Sequence, residues 1–281
     1  MPKMKSIKIG DRFKTNKGGD VVVLGYNNYN NILVQFDDEF KHTVTTDSSS
    51  LRCGGLKNPY ARLLFGIGYH GVGKYKSKLG LSSEGHQNLP EYQAWINMLS
   101  RCYNPDYNCR TSYDGCSVHP DWYRYQAFAE WYTNELKYTG WEGRNYLDKD
   151  ILGDGTLYSK DTCCIVPMSI NANITSTTSG KYARGTIKSG DGFRVAFKTE
   201  SKLPKFSTEQ EAHEEYLRLK HEKIRSLADE YKDYLNPIVY DRLKTKDFTE
   251  HLLRKHGKTD KIANLVFETI VTGKQIGRAH V

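Results

Sequence analysis

Apolar and polar positions alternate along residues 5–57, in the runs Ile7–Phe13, Asp20–Tyr26, Ile32–Asp37 and Lys41–Thr46. Alternation sends every second side chain to one face, which is the pattern of half-buried strands. Lys17-Gly18-Gly19 and the Asn-rich stretch 27–31 interrupt the runs and suit turns. Val21-Val22-Val23-Leu24 is a buried-strand candidate. Short strands packed this densely predict a small β-barrel-like module, SH3-like or a curled sheet. After position 90 the period changes. Trp95, Met98, Leu99 and Cys102 recur at helical spacing within Glu91–Tyr103, and Asn104-Pro105 ends that run. A second helix is expected over Trp122–Leu136, with Tyr125, Phe128, Trp131 or Tyr132, and Leu136 turned inward. Trp95, Trp122 and Trp131 read as core.

Between these regions lies 58–90, rich in glycine and lysine. Gly66, Gly68, Gly71 and Gly73 do not make a phosphate loop, because Gly73-Lys74 is followed by Tyr75 rather than Ser or Thr. A flexible basic connector is expected.

Residues 145–171 read NYLDKDILGDGTLYSKDTCCIVPMSIN. A strand-like run carries Asp148-Lys149-Asp150 at its centre, the turn Gly153-Asp154-Gly155 comes next, and the apolar run Cys163–Val166 stops at Pro167. Acids two apart on a strand share a face. Asp148, Asp150 and Asn171 are therefore candidate oxygen ligands for a hard cation such as magnesium. The alternative is a solvated or salt-bridged strand edge.

The polar stretch 172–183 is an expected boundary. Beyond it, residues 181–206 contain seven Lys or Arg and two acids. Gly190-Asp191-Gly192 signals a hairpin, and Pro204 confines a third strand, 202–206, to an edge. Period two places Arg184, Thr186 and Lys188 on one face of the first strand, and Arg194, Ala196 and Lys198 on one face of the second. Ile187, Val195, Phe197 and Phe206 take the apolar side. A long helix from Ser207 to about Leu235, with Ala212, Tyr216, Leu219, Ile224, Leu227, Tyr231 and Leu235 as its stripe, would cover that side. The basic face is then free to meet DNA, with phosphate or base-edge contacts; a merely solvated face is the other reading. Residues 238–270 look helical and carry no recognisable chemistry.

The chain has 281 residues and a formal charge of +8. The length suggests two or three small domains, and the charge favours an anionic partner. No stretch approaches the roughly 18 apolar residues that spanning a bilayer needs, so no membrane association is expected. The lysine-containing N-terminus has no apolar core of a secretory signal, and the six cysteines are not spaced as a disulfide framework, so a reduced cytoplasmic setting is expected. Cys116 and His119, with Cys163 or Cys164, could form a zinc knuckle; without paired CxxC motifs the cysteines read instead as small buried hydrophobes. The last six residues, Ile276 to Val281, are what the opening of a common sequencing adapter encodes (ATC GGA AGA GCA CAC GTC). Residues 276–281 are accordingly read as an adapter scar, and the gene is expected to continue past about Lys274.

Several pieces resemble, in order and spacing, the phage-encoded HNH homing endonucleases that carry an AP2-type DNA-binding domain. They are YQAWINMLSRCYNPDY (92–107), CSVHPDWYRYQAFAEWY (116–132), LDKDIL (147–152), LYSKDTCCIVP (157–167) with SIN (169–171), and RGTIKSGDGFRVAF with KFSTEQEAHEEY within 184–216. The resemblance implies a ββα-metal nuclease core within 91–175 that uses one divalent cation, usually Mg2+. It also implies an AP2-like three-stranded sheet plus long helix over 181–235; the resemblance covers about Asn58–Tyr231, and the helical C-terminal region over 236–275 is read from its own pattern. Asn171 matches the final ligand position of the motif. Arg184, Lys188, Arg194 and Lys198 would hold double-stranded DNA, with Phe193 in the place of the family's aromatic. One departure stands out: there is no histidine between positions 120 and 212, where the motif has its general base. Asp148 would take that role, or His119 would reach in.

The expectation is therefore an α+β protein that cleaves DNA with a bound cation. Asp150 and Asn171 would hold the metal, Asp148 would ligate it or activate water, and Lys149 would neutralise a phosphate. The alternatives are a DNA-binding protein with a degenerate, inactive HNH-like core, and a structural or interaction protein.

Overall fold

The computed structural model describes residues 6–79, 87–107, 113–175, 181–197 and 203–253. They form a mixed α+β fold of small sheets and helices. The chain divides into two compact units, residues 1–104 with 119–130, and residues 105–118 with 131–281. The division does not follow the expected boundary at 172–183.

In the first unit, β1 (Arg12–Lys14), β2 (Asp20–Asn28), β3 (Asn31–Phe36) and β4 (Thr43–Thr46) form an antiparallel meander in sequence order. The expected barrel does not close: β1 pairs with β2 and β4 with β3, and no β1–β4 ladder joins them among the described residues. Val21, Val23, Ile32, Val34 and Phe36 alternate inward and bury against Leu51 of α1 (Ser48–Arg52). Asp47 caps α1, its carboxylate accepting from the N–H groups of Ser49 and Ser50. The helix α2 (Pro90–Tyr103) starts on a proline and buries Trp95, Met98 and Leu99.

Within the glycine-rich connector, Tyr69 and Tyr75 are tied to the 123–126 stretch. Tyr69 exchanges backbone hydrogen bonds with the 123–125 stretch, and Gln126 holds both the N–H and the C=O of Tyr75 through its amide. A Cβ at Gly68 would lie 2.6 Å from a Leu99 methyl, so that glycine serves close packing.

In the second unit, β5 (Ser117–Val118) pairs in parallel with β7 (Leu157–Tyr158). The helix α3 (Tyr125–Thr139) contains the boundary between the units. Antiparallel β6 (Asn145–Asp148) and β8 (Cys164–Pro167) are followed by α4 (Met168–Ile174), which packs on both. Next come the hairpin β9 (Thr186–Ser189) and β10 (Gly192–Val195), and the long α5 (Glu209–Glu230), opened by a capping box of Thr208 and Glu211. Phe193 and Phe206 exchange backbone hydrogen bonds, which adds a one-bridge third strand. The chain then forms α6 (Pro237–Thr245) and α7 (Thr249–Leu253).

One apolar core runs through this unit. Ile151, Cys164, Val166, Ile170 and Ile174 join Val195, Ala212, Tyr216, Ile224 and Leu227, and Phe248 and Leu252 complete it. The region without recognisable chemistry thus contributes core residues, through α6 and α7.

Candidate functional site

The strand β6 ends at Asp148, and the chain turns immediately after it. Asp148 and Asp150 consequently do not share a strand face, contrary to the expectation from their spacing. Asp148 Oδ1 accepts from the backbone N–H of Asp150 at 2.8 Å and of Ile151 at 2.9 Å. This is the local bonding by which Asp folds a chain back. The carboxyl is only 4% exposed. Burial, reinforced by the charge of Asp150, raises its pKa from about 3.8 to about 6, against the pull of the two backbone N–H groups.

Lys149 is buried as well, so it does not stand ready for a phosphate. Its ammonium lies 3.0 Å from Asp150 Oδ1 and over the rings of Tyr113 and Tyr158, at 5.7 and 5.6 Å from their centroids. Burial pushes its pKa down, but the charge and hydrogen bond of Asp150, with Cys116 and Asp148, outweigh that and hold it above the ordinary lysine value.

Two residues that the sequence did not single out complete this loop. Lys246 Nζ donates to three backbone carbonyls: Asp150 at 2.6 Å, Gly153 at 2.8 Å and Ile151 at 3.2 Å. His251 Nδ1, from α7, stands 3.6 Å from Asp150 Oδ1, within ion-pair range when protonated and too far for a hydrogen bond. A histidine is therefore present beside the acids, delivered from about a hundred residues downstream. No local signal marked Lys246 or His251, since neither lies in a motif and both act through tertiary packing.

The other expected site residues lie elsewhere. Asn171 is half-buried on α4, and its carbonyl accepts from the N–H and hydroxyl of Thr175. Asp154 folds its own turn, accepting from the N–H and hydroxyl of Thr156 at 2.9 and 2.7 Å. His119 belongs to the first compact unit, where its ring accepts from the N–H of Asp121 and caps the short 3-10 turn Pro120–Tyr123. Cys163 and Cys164 are buried, and burial raises both thiols well above their usual pKa, as for small core hydrophobes. Among the described residues no group of three or more His, Cys, Asp or Glu side chains is placed to hold a metal ion. The donors of the 148–153 loop do not fit Mg2+ as arranged. One Asp148 oxygen serves the turn, Asp150 pairs with Lys149, and the loop carbonyls accept from the Lys246 ammonium.

The hairpin corrects the expected face assignment. Arg184 and Thr186 are buried. The Arg184 guanidinium donates to the carbonyl of Leu252 at the end of α7, while its own carbonyl accepts from His213 at 2.7 Å. The Thr186 hydroxyl bonds the carbonyl of Ala183 at 2.7 Å. The cause is Gly185, whose φ of +77° breaks the strand phase, so β9 starts only at Thr186. In register, Val195 faces Thr186 toward the core, and Arg194 faces Ile187 toward solvent. Arg194 is exposed as expected, and Ile187 is exposed instead of buried. Lys188 is exposed at the hairpin end with its ammonium 4.2 Å from the centre of the half-buried Phe193 ring. Asp191 at the tip pairs with Lys205. Lys198 lies outside the described residues.

Comparison of the chain with protein-family models, with curated proteins and with solved structures returns no match.

Proposed function

We propose that this chain is a DNA-binding protein with the organisation of the phage HNH–AP2 endonucleases, in which the nuclease-like core is closed by the protein's own lysines. Support comes from the order β6, β8, α4, which is that of a ββα unit, and from the hairpin and long helix beyond it. The observation that carries DNA binding is the exposure of Lys188 and Arg194, which the register places on opposite faces of one short hairpin, within a chain of formal charge +8. Lys188, its ammonium over the Phe193 ring, offers a charge to one phosphate. Closure of the core rests on Lys149, which pairs with Asp150, and on Lys246, which donates to the loop carbonyls.

The test is fluorescence anisotropy with labelled duplex DNA over a salt series. Lys188→Ala and Arg194→Ala should each weaken binding and lower the salt slope by about one, with thermal stability unchanged. No binding at low salt, or binding indifferent to both changes, refutes the reading.

A second reading is cleavage, favoured by the single observation of His251 beside Asp150. A plasmid-nicking assay in Mg2+ decides it. Nicking abolished by His251→Ala and Asp150→Asn supports this site; nicking unaffected by either removes it; no nicking by the wild type leaves the binding function alone.

A further inference from the structure

We infer that the carbonyl oxygens of Asp150, Ile151 and Gly153 form a cation cradle whose resident cation is the Lys246 ammonium. The inference does not depend on DNA binding; it rests on the closure of the core by Lys246 stated in that reading, and deepens it by naming the kind of cation that the loop carbonyls accept. An ammonium has three N–H donors and no acceptor. Three carbonyls converge on Nζ at 2.6, 3.2 and 2.8 Å, all within hydrogen-bond reach of that one ammonium.

Both sides of the contact are held in place. On the loop side, Asp148 ties the turn through the N–H groups of Asp150 and Ile151. At Gly153 a Cβ would meet the carbonyl of Lys149 at 2.9 Å and the Thr162 side chain at 3.0 Å, so the loop is drawn tight there. On the lysine side, the Lys246 N–H closes α6 by bonding the Arg242 carbonyl, and Phe248 two residues on is fully buried. The Phe248 ring also lies 5.6 Å from Nζ, presenting an aromatic face to the same charge.

The distances are those of ordinary N–H···O hydrogen bonds, so the carbonyls as placed serve an N–H donor. The tethered ammonium therefore does for this loop what a free ion does in an open site, and does so without dependence on metal concentration.

The experiment is thermal unfolding of the full chain with chemical rescue. Lys246→Ala is expected to lower the midpoint by on the order of 5 °C. Ethylammonium chloride should recover part of that loss, and tetramethylammonium chloride at equal concentration should not, because it has no N–H to donate. Lys246→Met, which fills the space without charge, should stay destabilised and resist rescue. In parallel, Mn2+ binding followed by electron paramagnetic resonance should be the same for wild type and Asp150→Asn. Lys246→Met as stable as wild type, a folded Lys246→Ala chain that ethylammonium fails to rescue, or stoichiometric Mn2+ binding lost in Asp150→Asn would each overturn the assignment. Should Lys246→Ala fail to fold, the methionine variant and the manganese comparison still decide.

Discussion

A Cβ at position 185 would lie 2.1 Å from the Tyr216 ring, and the backbone there already has a φ of +77°. Steric overlap and a left-handed backbone act together, so Gly185→Ala should cost about 3 kcal/mol or more, read as a lower urea midpoint. Asp148 gives a prediction of a different kind. Its carboxyl holds its proton more tightly folded than unfolded, so its contribution is complete below the unfolded value near 3.8 and is lost as pH rises through about 6. Stability should fall across that window, and Asp148→Asn should flatten the profile. A wild-type profile flat over the window would show that burial of the carboxyl does not dominate. The acids themselves were legible as functional candidates by type and spacing. Their use was not: Asp148 is consumed by its own turn, and one glycine shifted the phase that had assigned Arg184 and Thr186 to the open face.

Among elements, α7, described over Thr249–Leu253, is tied to the rest of its unit by tertiary contacts. Burial of Phe248 and Leu252, and the Arg184 guanidinium on the Leu252 carbonyl, hold it. Phe248→Ala should accordingly cost about 3–5 kcal/mol. Arg184→Ala should lower stability by about 1–3 kcal/mol in a denaturant titration while leaving the salt slope of DNA binding unaltered, the reverse of Lys188→Ala. A loss of salt slope in Arg184→Ala would return that residue to the DNA face. The long elements were readable because their periodicity is strong. Ala212, Tyr216, Ile224 and Leu227 were marked as the buried stripe of α5 and are buried. In α7 the contacts that fix the helix come from residues far away in sequence, which no local period records.

Over the whole chain, the alternation of the first unit and the helical spacing of the second reveal an α+β protein, whereas barrel closure did not follow from strand count. The core of the second unit runs across the polar stretch 172–183, because Ile170 and Ile174 of α4 pack with the face of α5. Composition marked a boundary there, but packing is decided by which apolar faces meet. The net charge belongs to this scale as well. If DNA is the partner, affinity should drop steeply between about 50 and 200 mM salt, with a log–log slope near −0.9 per phosphate contacted; a flat salt response would exclude a phosphate-led interface. The link from Lys246 to the 148–153 loop has one more consequence, in time rather than space. Asp150 and Lys246 are separated by 96 positions. A ribosome adding about 5–20 residues per second takes about 5–20 s to cover them. The acidic turn thus leaves the ribosome well before its ammonium exists, and the nascent chain passes through an interval in which that turn is open to soluble cations and to chaperones.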